Sequence, residues 1–157
     1  MTKNRRIRSE APFRLYVNVL VPDLAGIDKD VSAEIFRENE ELGNSILKLD
    51  GPSFSWKPFF EPFAGDRYFM GPEEDRDIEA GTYWIRVTSP DNAGKYVLAV
   101  GKKESFPPGK ILKTIALLPK LKKDFFEKSP FTAFWNLSGA FLLAVAGGIA
   151  GRAALFF

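Results

Sequence analysis

The chain has 157 residues, 45% hydrophobic and 27% charged, with a formal net charge of +2. It contains neither cysteine nor histidine, which excludes disulfides, thiolate metal sites and histidine-based acid–base or zinc chemistry. The length admits one small domain with appendages, and its charge is uneven: residues 11–101 carry 9 basic and 16 acidic side chains, whereas residues 102–128 carry eight lysines against Glu104, Asp124 and Glu127.

Residues 1–12 are basic and patternless, and a disordered start is expected there. No apolar stretch follows them, so no secretion signal is expected in this part of the chain. Phe13–Val21 alternates, with Phe13, Leu15, Val17 and Val19 on one face and Arg14, Tyr16 and Asn18 opposite, which predicts a half-buried strand. Val31–Arg37 and Ser45–Leu49 predict two more strands, the second closed by the turn signal Asp50-Gly51-Pro52.

Phe54, Trp56, Phe59, Phe60 and Phe63 crowd into ten residues together with Pro58 and Pro62. The prolines exclude a regular central strand or a helix. The rings either cap one end of the core or form an exposed surface for a protein or glycan partner. Arg67–Met70 reads as a short strand. The acidic run after it reads as a solvated face with no metal site expected; Glu73, Glu74, Asp75 and Asp77 are weak calcium candidates as the alternative, without the spacing of an EF-hand loop.

Gly81–Ser89 places Tyr83, Ile85 and Val87 on one face, and Gly94–Gly101 does the same with Tyr96, Leu98 and Val100. Joined by the turn residues 90–94, they are expected to pair as a β-hairpin. Closely spaced strands with no helical period before residue 109 predict a mainly β fold, a small antiparallel β-sandwich over residues 13–103.

Residues 80–100, AGTYWIRVTSPDNAGKYVLAV, resemble the last two strands of bacterial and archaeal pre-peptidase C-terminal (PPC) domains, which end in an AGTYYVRV…GxYxLxV pattern. The resemblance implies a jelly-roll-like sandwich with an accessory role at the cell envelope and no active site of its own. In that family further strands precede the one corresponding to Phe13–Val21. Their absence would leave an open edge for a partner to cover.

Pro107-Pro108-Gly109 ends the β region. Ile111, Leu112, Ile115 and Leu118 then make a helical face that Pro119 is expected to end, and Leu121 and Phe125 continue it. Residues 104–128 are thus expected to be a basic amphipathic segment on a bilayer surface, with Lys110, Lys113, Lys120, Lys122, Lys123 and Lys128 toward lipid headgroups. A helix packed on the sandwich is the alternative.

Residues 129–151 hold no charge. A helix of that length reaches roughly 34 Å against a hydrocarbon core of roughly 30 Å, which predicts a single transmembrane helix within 129–157, starting near Phe131. Trp135 would sit at headgroup level, and Gly147 and Gly151 form a GxxxG helix-packing face.

A membrane-anchored, non-enzymatic sandwich is therefore expected, with the bilayer and a protein or glycan as partners, or with a larger membrane complex of which it is a subunit. No cofactor is expected. Nucleic acid is not, because the folded part is acidic. The flanking lysines favour a cytoplasmic β domain by the positive-inside rule, and the resemblance favours an extracytoplasmic one, which is the side expected here.

Overall fold

Apolar alternation carries through to eight strands among the described residues of the computed structural model, which are 3–38, 45–62, 64–91, 93–102, 117–136 and 139–140. In chain order the strands are β1 Lys3–Ser9, β2 Phe13–Pro22, β3 Ser32–Arg37, β4 Leu47–Leu49, β5 Lys57–Glu61, β6 Asp66–Ile78, β7 Gly81–Thr88 and β8 Val97–Val100. They form two antiparallel four-stranded sheets, ordered β1-β7-β3-β4 and β5-β6-β2-β8. Leu15, Val17, Val19 and Val21 of one sheet and Ala33, Ile35, Leu47, Leu49, Tyr83, Ile85 and Val87 of the other share one core cluster. Each large apolar side chain removed from water there contributes about 1.5–3 kcal/mol, which is what holds the two sheets face to face.

The N-terminal residues are the first correction. Residues 3–9, expected to be disordered, pair along β7 from Lys3 opposite Val87 to Ser9 opposite Gly81. The basic side chains hide an alternation in which Ile7 is packed against the core, opposite Tyr83. A strand does therefore precede β2.

The second correction concerns β7 and β8. They do not form a hairpin: β7 lies between β1 and β3, whereas β8 pairs with β2 in the other sheet. The connection from Thr88 to Val97 therefore joins one sheet to the other. Alternation fixes which side chains face inward but does not choose the neighbouring strand, and a five-residue connection serves an arch as well as a hairpin.

Pro58 lies inside β5, which is tolerated because β5 is an edge strand. β6 runs on well past Met70, through Gly71 and Pro72, which together face the single residue Val19 across a bulge. Pro72 has no N–H to donate. The buried Asn18 amide donates across the bulge to the Gly71 and Pro72 carbonyls, at 3.2 and 3.4 Å, and so gives these two acceptors a partner. Gly71 is required there, since a Cβ would lie 2.5 Å from the Trp56 ring and 2.8 Å from the Val19 carbonyl oxygen.

The chain divides into two compact units, Met1–Phe59 with Tyr68–Glu104, and Phe60–Arg67 with Ser105–Phe157. In the second unit, residues 117–124 are helical straight through Pro119, contrary to expectation. Proline's fixed φ suits a helical turn, and the bond it cannot donate would go to residue 115, outside the described residues.

The predicted span does not start at Phe131. Pro130–Ala133 is a 3-10 turn capped by Phe134, whose N–H bonds to the Phe131 carbonyl. Proline at the head of this turn and the tight closure onto Phe131 stop it within one turn. Among the described residues no helix is long and apolar enough to cross a membrane. Residues 141–157, with Gly147 and Gly151, lie outside the described residues.

Candidate functional site

Unit two is built around a buried charge. Asp66, at the start of β6, is fully buried and receives the Lys122 ammonium at 2.7 Å and the Lys128 ammonium at 3.2 Å, both on Oδ1. Lys122 is 1% exposed and also donates to the Ala64 carbonyl at 2.6 Å. Phe126, 2% exposed, lies beneath both cations, its ring centre 5.6 Å from the Lys122 Nζ and 5.3 Å from the Lys128 Nζ. Two ammonium groups share one carboxylate, and the second oxygen, Oδ2, accepts no hydrogen bond among the described residues.

This placement corrects the reading of Lys122 as a headgroup lysine. A buried ammonium is tolerated only when it is paired and hydrogen-bonded, and Asp66 and the Ala64 carbonyl supply both conditions. Lys128 is half-buried on the same carboxylate. Lys120 and Lys123 do face solvent, and Lys110 and Lys113 lie outside the described residues.

Asn136 adds a second fastening. Its side-chain amide donates to the Ala64 carbonyl at 2.8 Å and to the Thr132 carbonyl at 3.2 Å. Its Oδ1 accepts the Gly139 N–H at 2.8 Å, while its carbonyl accepts the Ala140 N–H. Asparagine with its oxygen on the N–H three residues on is a helix N-cap. A helical turn therefore opens at Asn136, within the uncharged run, rather than near Phe131.

The same unit exposes large apolar side chains. Trp135 is 89% and Phe131 74% exposed, and Leu117, Leu121, Phe134 and Phe60 are exposed as well.

The described aromatics of residues 54–63 differ in exposure. Phe54 and Phe60 are exposed but belong to different units. Trp56 and Phe59 are half-buried: the Trp56 indole donates to the Gly51 carbonyl at 2.9 Å, and Phe59 leans on Tyr68 with ring centres 6.5 Å apart. Phe63 lies outside the described residues.

The acidic run is tied to its neighbours by ion pairs and hydrogen bonds. Glu73, Glu74, Asp75 and Asp77 lie along the extended β6, where successive side chains take opposite faces, so Glu74 is turned from the other three. Asp75 is held by Arg14 at 2.7 and 3.2 Å and by Lys102, and Glu73 accepts the Tyr16 hydroxyl at 2.8 Å. Among the described residues no three acidic side chains gather as metal ligands. Hydrogen bonds from Arg14 and Lys102 push the Asp75 pKa down to about 2. Burial, helped by the bond to Glu73, pushes Tyr16 up to about 12.

A cationic and aromatic ladder covers the outer face of the β1-β7-β3-β4 sheet. Arg6 lies over Trp84, 5.7 Å from the ring centre, and Arg86 over Phe36 at 4.7 Å; Arg6 also meets Glu38 at 3.5 Å. The available signal was Trp84, a large ring on the face of β7 opposite Tyr83, Ile85 and Val87. That signal does not name the arginine above it, because the pairing of β7 with β1 is not a local property of the sequence. In comparisons with protein-family models, curated proteins and solved structures, nothing matches this chain, so the PPC resemblance rests on residues 80–100 alone.

Proposed function

We propose that the chain is a non-enzymatic β-sandwich held at a membrane by its C-terminal unit, where it binds or positions another protein. The observation that carries this reading is the exposure of Trp135 and Phe131 on a unit that buries Asp66 and Lys122. Rings of this kind favour the headgroup level of a bilayer, and each large apolar group moved out of water there contributes about 1.5–3 kcal/mol. The exposed Lys120 and Lys123 add on the order of 1 kcal/mol each near anionic lipid. The Asn136 cap starts a helical turn where the uncharged run continues, and that run is the proposed lipid-embedded part. The PPC-like pattern of residues 80–100 supports an accessory, partner-binding role for the sandwich.

Trp56 and Trp84 can each be changed to Phe, leaving Trp135 as the sole indole. In vesicles containing anionic lipid, Trp135 emission is then expected to shift to the blue and to be quenched by lipids brominated high on the acyl chain. Emission typical of indole in water, unquenched by any brominated lipid, would overturn the membrane reading.

A further inference from the structure

The buried ion pair of the second unit holds more polar atoms than its surroundings satisfy. The Lys122 ammonium carries three protons, and among the described residues two oxygens accept them, Asp66 Oδ1 at 2.7 Å and the Ala64 carbonyl at 2.6 Å. On the carboxylate, Oδ2 is buried and accepts nothing there. An acceptor left unpaired in a dry interior costs about 1–3 kcal/mol. One surplus oxygen facing a nitrogen with surplus protons makes up the composition of a water molecule.

Lys122 is also placed as a nucleophile. Removal from water and a neighbouring cation each activate a lysine amine. Lys122 is 1% exposed and shares Oδ1 with the Lys128 ammonium, which lies 3.2 Å from that oxygen. Lys128 is brought there by a fixed turn: its N–H bonds to the Lys122 carbonyl at 2.9 Å, across Glu127 at a left-handed φ of 55°. The Ala64 carbonyl that holds the Lys122 nitrogen is itself held by the Asn136 amide. Reacting groups pinned in this way behave as if present at about 10⁵–10⁸ M.

We infer that Lys122 and Asp66 condense after folding into an isopeptide bond, which ties the head of β6 to the helical residues 117–124. One proton passes from Nζ to Oδ2, leaving an amine beside a carboxylic acid. The amine lone pair adds to Cγ, and the electron pair of the Cγ–Oδ1 double bond moves onto Oδ1, where the Lys128 ammonium meets the negative charge. A second proton passes from Nζ to Oδ2, the Cγ–Oδ2 bond breaks, and water leaves. In the product the amide N–H donates to the Ala64 carbonyl and Oδ1 accepts from Lys128, whose side chain is 39% exposed and keeps its charge in reach of water. The unpaired oxygen is gone, and burial keeps water from reversing the step. The ion pair is the state of the newly folded chain and the amide its mature one. The inference rests neither on membrane attachment nor on a partner.

The full chain, purified in mild detergent and kept native at neutral pH, is followed by intact mass and peptide mapping. Its mass is expected to settle one water below the sequence mass, with a branched peptide joining Asp66 to Lys122, whereas chain held in denaturant keeps the full mass. Lys122→Arg preserves the cation without an amine and should also keep the full mass. Lys128→Gln should slow the loss at least tenfold and Lys128→Arg restore it, with residues 117–124 equally protected from hydrogen exchange in both. Full mass after prolonged native incubation would overturn the inference. So would water lost as a succinimide at Asp50-Gly51 in place of the branch, or a Lys128→Gln rate equal to that of the parent chain.

Discussion

The two units solve the same problem with opposite materials. The sandwich buries aliphatic side chains between its sheets and leaves its ion pairs outside, as with Arg14 and Asp75. The C-terminal unit buries Asp66 and Lys122 and leaves Phe131 and Trp135 outside. An apolar core tolerates rearrangement at moderate cost, whereas a buried ion pair is intolerant of losing one partner and nearly indifferent to losing both. The first unit can therefore drift in sequence as long as its pattern holds. The second is specified by a few polar atoms in fixed positions.

The comparison breaks most sharply at Asp66. Asp66→Ala leaves the Lys122 ammonium buried without its carboxylate and is expected to cost the second unit about 3–5 kcal/mol. The double change Asp66→Leu with Lys122→Met should recover most of that loss. Hydrogen exchange checks both: residues 117–124 lose protection in the single variant and regain it in the double, while β7 stays protected throughout. A double variant as unprotected as the single one would show that the ion pair does more than occupy the interior.

A smaller effect is expected at Gly71 in the sandwich. The new methyl of Gly71→Ala meets the Trp56 ring and the Val19 carbonyl, and such overpacking costs about 1–3 kcal/mol. Denaturant unfolding should show it, and Trp56→Leu in the same chain should return only part, because the Val19 carbonyl remains in the way.

The smallest effects lie in the polar pairs on the sandwich surface and are read from the pH dependence of stability. The depressed Asp75 pKa favours the folded state while the carboxylate is charged, so that support is complete above its usual pKa of 3.8 and is lost as pH falls through about 2. Tyr16 acts with the opposite sign: its raised pKa favours the folded state below pH 10, and that support is lost as pH rises through about 12. Asp75→Asn should lower stability slightly at neutral pH, converge with the parent chain below about pH 2 and so flatten the acid limb of a stability profile, and Tyr16→Phe should flatten the alkaline limb.

What could be read from the chain follows the same division. β2, β3 and β7 were legible because a two-residue period with a buried face is a local signal, visible in Leu15, Val17 and Val19 without knowledge of any partner. β1 was not, because its arginines outweigh the single inward Ile7. The separation of β7 from β8 into different sheets was not legible either, since pairing is decided by packing over the whole core. Lys122 looks like any surface lysine until Asp66, a distant strand residue, is brought beneath it. The exposed Trp135 was foreseen as a ring at the head of an apolar run, and the turn that precedes it was not.

The way the chain leaves the sandwich bears on how the molecule carries load. Beyond β8 the Gly101 N–H bonds to the Tyr16 carbonyl at 2.9 Å, and Lys102 closes on Asp75, itself gripped by Arg14. A pull on the chain just beyond Lys102 must open this clasp before it can peel β8, the four-residue strand that would otherwise unzip first. Tension applied there is borne first by the surface link between Lys102 and Asp75, and β8 keeps its register on β2 until that link parts.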